Sequence, residues 1–236
     1  MIIPNKKLIE RHSGFNFPLA IILLNVYCKC RFSMSYRDIE ELNGMRNLKV
    51  DHSTIHRWVL AFAPLLEQEF RKKKKPVLSS WRMDETYIKV DGKWLYLYRA
   101  VDKEGHTVDF LLQHNRDTQS AKNFFRKALR ENKIPFVVNV DKSGSNKAAL
   151  DELNREVVPV QSSPIIVRQN KYLNNIVEQD HRFIKKRIKP TLWFKSYQGA
   201  TATIAGIELV HMIKKGQLQG GNQNTSTYDQ FISLAA

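Results

Sequence analysis

Two alternating runs, Arg82–Val90 and Lys93–Val101, flank the dipeptide Asp91-Gly92. An Asp-Gly pair between period-two segments signals a two-residue hairpin, because both residues tolerate the positive φ that such a turn needs. A third strand, His106–Gln113, follows the turn Asp102-Lys103-Glu104-Gly105. The order then changes. A helix is predicted over Thr118–Asn132, a buried strand over Pro135–Asp141 and a helix over Ser145–Glu156. Short apolar runs follow at Val157–Val160 and Ile165–Val167, then a long helix over 170–189 that Pro190 stops. Three meandering strands followed by helix, strand and helix require a mixed α/β sheet with flanking helices. Another helix is predicted over Gly199–Lys215, and the polar composition from Gly216 onward predicts a loose tail.

The segment before the sheet reads as all helix. Phe17–Phe32 is the first candidate. Ser35 caps a second, Tyr36–Leu42, with Asp38 completing a capping box, and Asn43-Gly44 breaks it. Asp51 or Ser53 caps a third, Ser53–Phe62, with Pro64 near its end. Helix, Gly-containing break and polar helix form a helix-turn-helix pattern. In that geometry Ser53, Thr54, His56 and Arg57 face the major groove, while Ile55, Val59 and Phe62 pack inward; an ordinary helical hairpin with a polar face is the other reading. The run Arg71-Lys72-Lys73-Lys74-Lys75-Pro76 predicts an extended linker, either solvated or tracking a phosphate backbone. Lys and Arg total 38 against 23 Asp and Glu, a net charge of +15. That excess favours a polyanionic partner. An anionic membrane surface competes, but no apolar run reaches membrane length and no signal-peptide pattern opens the chain. Cys28 and Cys30 lack a second ligand pair, which argues against a structural zinc site and for two reduced thiols in a cytosolic protein.

Three acids carry the chemistry. Asp84 shares a strand face with Arg82 and Thr86, whereas alternation sends Met83 and Glu85 the other way and makes Glu85 a supporting or surface acid. Asp141 ends its strand, where open α/β sheets build sites; a turn or capping aspartate is the alternative. Glu178 shares a helix face with Asn174, Arg182 and Lys185, bordered by His181; alone it reads as an ion-pair partner of Arg182. Two strand carboxylates and a helix carboxylate in a basic chain suggest metal-assisted cutting and joining of nucleic acid. Downstream, basic residues from Arg182 to Lys195 interleave with Phe183, Trp193, Phe194 and Tyr197, a mixture suited to phosphate neutralisation and base stacking, although several of these aromatics also suit a core.

Met83-Asp84-Glu85-Thr86-Tyr87, Tyr96–Asp102, Val140-Asp141-Lys142, Asn174–His181 and Asp51–Val59 together resemble the bacterial DDE transposases of the insertion-sequence-six family. Pro190–Ser196 and Thr203–Glu208 extend the resemblance over about residues 16 to 216. It implies a ribonuclease-H-like core in which Asp84, Asp141 and Glu178 are catalytic and bind two Mg²⁺ ions, Mn²⁺ being equally suited to hard-oxygen ligands. It further implies that Lys185 matches the family's basic residue, with Arg182 beside it on phosphate. The implied activity is 3′-end cleavage at the element's terminal inverted repeats and strand transfer into target DNA, by replicative cointegrate formation. The implied assembly is a homo-oligomer, a dimer or larger on paired ends, in the bacterial cytoplasm at the nucleoid.

The resulting organisation is a helix-turn-helix domain at 1–66, a basic linker at 67–79, a catalytic domain at 80–215 and a loose tail at 216–236. Asp141 and Glu178 stand 37 positions apart, slightly wider than the family's interval, with the extra residues expected in the Pro159–Gln169 connection. A catalytically inactive helix-turn-helix regulator, or decayed copy, is the alternative; it predicts sequence-specific binding without metal-dependent cleavage. A ribonuclease H needs no sequence reader, and no tyrosine is marked as a nucleophile for a covalent recombinase.

Overall fold

The computed structural model describes residues 10, 12–142, 144–161, 163–170, 175–221 and 224–236, with backbone alone at 157–161. In chain order its main elements are α1 (Leu19–Arg31), α2 (Tyr36–Gly44), α3 (His52–Lys72), β1 (Ser80–Val90), β2 (Lys93–Asp102), β3 (Thr107–Gln113), α4 (Thr118–Glu131), β4 (Val137–Val140), α5 (Gly144–Gln161), β5 (Ile166–Gln169), α6 (Asn175–Ile188), α7 (Tyr197–Lys214) and α8 (Thr227–Ile232). Packing divides the chain into two units, Met1–Lys75 with Ile184–Ala236, and Pro76–Phe183.

In the helical unit, Ser35 and Asp38 form the expected capping box, the Asp38 carboxylate accepting from the Ser35 N–H at 2.6 Å. Asp51 caps α3, accepting from the Ser53 N–H at 2.8 Å. Pro64, expected near the end of that helix, lies inside it. A proline in a helix interior costs about 3 kcal/mol. Phe62, Leu66 and Phe70, all fully buried, offset this at about 1.5–3 kcal/mol each and carry α3 to Lys72. The basic run therefore begins as helix, not as linker: Arg71 donates to Glu67, and Lys72 donates to Glu69 at 2.6 Å. Lys75 N–H then donates to the Gln217 carbonyl at 2.8 Å.

The expected partition also misplaced the C-terminal region. Helix α7 buries Ala202, Ile204, Ala205, Ile207, Leu209 and Val210, leaving little of it polar, so it needs neighbours on every side. It obtains them from α1 and α3. The tail is not loose either. Tyr228 and Phe231 set their rings 5.1 and 5.3 Å from Tyr27, and Leu234 is buried. The polar stretch before α8 hid one amphipathic turn.

Gly206 marks the tightest approach in this bundle. A Cβ built there would lie 2.2 Å from Cys30 Sγ and 3.1 Å from Ala63 Cβ. Cys30 is itself buried, and its thiol is pushed up to about 12 by burial. Gly206→Ala gains about 1 kcal/mol of helix propensity but overpacks the contact by about 1–3 kcal/mol. We expect a lower urea midpoint at unchanged slope; a midpoint equal to or above that of the parent would refute the close approach.

In the sheet unit the strand order is β3-β2-β1-β4-β5. β1–β2 and β2–β3 are antiparallel; β4 pairs parallel with β1 and with β5. This is the ribonuclease-H-like mixed sheet that the resemblance implies. Asp91 and Gly92 take φ 48° and 75°, the positive values expected of the hairpin turn. Asp102 is a turn organiser: its buried carboxylate accepts from the N–H groups of Glu104, His106 and Leu78 at 2.9, 2.9 and 3.0 Å. Helices α4 and α5 belong to the same core as one sheet face, which contains Trp81, Met83, Tyr98, Phe124, Phe125 and Leu150.

Two expectations about length change. α5 runs through Val157–Val160 to Gln161, and Ile166–Gln169 pairs with β4, so helix and strand occupy both ends of the Pro159–Gln169 connection. Tyr172, Leu173 and Asn174, expected in the long helix, lie outside the described residues. Among the described residues no helix is long and apolar enough to cross a membrane.

Candidate active site

β4 is short. Its pairing with β1 covers only Ser80, Arg82 and the residue between them, opposite Val137–Asn139. Beyond Arg82 the β1 edge on that side has no β4 partner, and Asp141, the first residue after β4, stands beside it. Carboxylate oxygens of Asp84, Glu85 and Asp141 all lie within 4.8 Å of one another. The structure thus brings together the two strand aspartates expected from sequence.

It also corrects the reading of Glu85. Alternation sends the Cβ atoms of Asp84 and Glu85 to opposite faces, but it does not fix where their carboxylate oxygens end. At an open edge, carboxylates from either face can turn toward the same side. The Glu85 side chain is 2% exposed. Burial pushes its carboxyl above the usual range; the Asn146 amide and Arg116 pull it back, while Asp84 and Asp141 push it further up.

Each acid has a defined setting. Asp141 Oδ2 accepts from Arg116 Nη2 at 2.7 Å, and its Oδ1 accepts from Asn146 Nδ2 at 3.2 Å. Arg116 Nη2 also lies 3.3 Å from Glu85 Oε2. Burial alone would lower the Arg116 pKa, but Glu85 and Asp141 outweigh it and raise it. Asp84 Oδ2 lies 3.2 Å from His181 Nε2, which ties β1 to α6. Glu178 is not part of the carboxylate cluster. It is exposed in the first turn of α6, three residues before His181 and hence on the same helix face. Arg99, paired in register with Asp84, is fully buried and donates to Asp180 Oδ2 at 2.8 Å.

Arg116 was missed by sequence reasoning, yet topology marks it. β3 and β4 both run parallel to β1, so their C-terminal ends share one edge of the sheet, and Arg116 follows β3 by three residues as Asp141 follows β4 by one. The donor set, carboxylate oxygens alone, fits a hard divalent cation such as Mg²⁺ or Mn²⁺. Glu85 adds a further buried carboxylate to that set.

Of the expected DNA readers, Ser53 and Arg57 are exposed and Thr54 is half-buried, with Arg57 Nη2 donating to Thr54 Oγ1 at 2.9 Å. His56 is placed differently. Its ring packs edge-on against Tyr36 at 5.2 Å, and burial, with Lys29 adding to it, pushes its pKa down. Arg182 is exposed; Lys185, in the last turn of α6, is half-buried.

A family model described as a DDE domain matches residues 78–217. The chain is 40% identical over 205 residues to the transposase for the insertion sequence-like element IS431mec of Staphylococcus aureus, covering 87% of this chain and 88% of that one. The transposase for element IS257 in transposon Tn4003 of the same species matches to the same extent. Among solved structures, the trimeric form of the HTLV-2 integrase catalytic core domain in complex with magnesium aligns with TM-score 0.45 and 16% identity, over 67% of this chain and 99% of that one. The BIV integrase catalytic core aligns with TM-score 0.41 and 17% identity, over 65% and 93%.

Proposed function

This chain belongs to the DDE transposases of the insertion-sequence-six family, and from that premise we propose that it cuts the 3′ ends of its own element and joins them to target DNA. The observation that carries this reading is the meeting of Asp84 and Asp141 at the open edge of β1, with Glu178 one turn away on a helix tied to Asp84. Asp84, Asp141 and Glu178 are the ligands in this reading. Two divalent cations bound there supply Lewis-acid stabilisation of an in-line phosphodiester displacement.

The chain's own residues set up that displacement. His181 orients Asp84, Asn146 orients Asp141, and Arg182 with Lys185 neutralises phosphate charge on the DNA. Water attacks first, breaking the phosphodiester so that the element's 3′-hydroxyl leaves; that hydroxyl then attacks a target phosphodiester, joins its 5′-phosphate and releases the target's 3′-hydroxyl, so no covalent protein–DNA bond forms. Ser53, Thr54 and Arg57 read the terminal inverted repeats from the start of α3, His56 serving them as packing against Tyr36. Two ends must be held at once, which calls for at least two protomers acting on DNA in the bacterial cytoplasm.

The test uses DNA flanking the gene, incubated with the protein with and without Mg²⁺. Metal-dependent nicks at the 3′ ends of a flanking inverted repeat are expected. Arg57→Ala should weaken repeat binding by about 1–3 kcal/mol and relax specificity at the base it contacts. Repeat binding by the parent protein on paired ends with no nick in Mg²⁺ or in Mn²⁺ supplied in its place would replace this reading with the regulator.

A further inference from the structure

Three carboxylates held within 4.8 Å of one another repel, and burial makes that repulsion harder to screen. Arg116 relieves it. The residue lies just before Asp117, whose carboxylate accepts from the Ser120 N–H at 2.7 Å and caps α4, so the backbone beneath Arg116 is anchored. Its guanidinium spans Asp141 and Glu85 at 2.7 and 3.3 Å. With Asn146 on the other oxygen, Asp141 is engaged by protein donors on both sides. A carboxylate in that state gives up a donor before a cation can take the same oxygen.

We propose that Arg116 is a positioning residue that serves as the internal counter-ion of the carboxylates until a divalent cation arrives, and then shifts from Asp141 onto Glu85. The proposal rests on the reading of Asp84 and Asp141 as metal ligands. Of Arg116 and Asn146, the guanidinium carries the charge that a cation opposes, so it is the one displaced. Glu85 suits the receiving role. Its side chain is 2% exposed and it already lies 3.3 Å from the guanidinium. The exchange keeps each carboxylate compensated before and after the cation binds. It also weakens cation binding in the free protein, since a positive charge has to be moved aside.

Mn²⁺ binding to the DNA-free protein, followed by the electron paramagnetic resonance of free Mn²⁺, tests this without reference to activity. Arg116→Gln should bind Mn²⁺ about tenfold more tightly than the parent, the size expected when one nearby like charge is removed from a partly screened site. Arg116→Lys, which keeps the charge, should stay within about twofold of the parent. In the parent protein, arginine side-chain NMR should show one guanidinium resonance shifting in step with Mg²⁺ occupancy, a readout that survives if the Gln variant does not fold. Arg116→Gln binding no tighter than the parent, Arg116→Lys binding as tightly as Gln, or no arginine resonance following Mg²⁺ would each overturn the counter-ion role. Failure of the underlying metal reading looks different: the parent would bind no Mn²⁺, or Asp141→Asn would bind it as well as the parent.

Discussion

Asp141→Asn should lower both cleavage and strand transfer by roughly 10³-fold or more while leaving affinity for the inverted repeats within about twofold. The substitution is nearly isosteric, so β4 and the start of α5 keep their packing. What changes is charge. An amide offers one neutral oxygen where the carboxylate offered two anionic ones, and hard cations discriminate strongly between them. Asp84→Asn should behave alike, because Asp84 is the other strand acid of the cluster. Glu85→Gln should cost less, since Glu85 acts here through Arg116. End binding is spared because Ser53, Thr54 and Arg57 belong to the helical unit and the acids to the other. Gel-shift and cleavage assays on one DNA substrate separate the two effects, and strand transfer retained by Asp141→Asn would sink the assignment.

How much of this was legible beforehand depended on whether a feature was local. The hairpin at Asp91-Gly92 and the caps at Ser35 and Asp51 are written in a few adjacent residues, and the structure reproduces them. Asp84 and Asp141 were readable because each sits in its own strand pattern. Glu85 reads as a supporting or surface acid, and its burial beside Asp84 and Asp141 was not legible, because alternation fixes Cβ directions and not where a long side chain ends. Arg116 belongs to no motif of its own; only the folded sheet brings the residue after β3 to the end of β4. Pro64 misled as a stop signal because the propensity cost is local while the burial of Leu66 and Phe70 is tertiary. The same holds for α7, whose sequence shows that it must be surrounded but not by what.

The second large effect is expected at Arg99. This side chain is fully buried, stands opposite Asp84 in the β1–β2 register, donates to Asp180 Oδ2 at 2.8 Å and lies 5.0 Å from the Phe183 ring. It therefore fastens α6 to β2 two residues after Glu178, while His181 fastens it to Asp84. Arg99→Met keeps bulk but leaves the Asp180 carboxylate without that charge beside it, and breaking one side of a buried pair costs about 3–5 kcal/mol. Loss of the guanidinium over Phe183 adds about 1–2 kcal/mol. Chemical denaturation should show the drop, and transfer activity should fall even where the variant is folded, because the helix that carries Glu178 loses a tie to the sheet. Adding Asp180→Leu removes the stranded charge and should restore most of the stability, as hydrophobic replacement of buried pairs often does. It should not restore activity, since the tie that orients the helix is still missing. If the double variant regains both, Arg99 only offsets the burial of Asp180. If Arg99→Met unfolds within about 0.5 kcal/mol of the parent, the helix is held by other contacts and the orienting role fails.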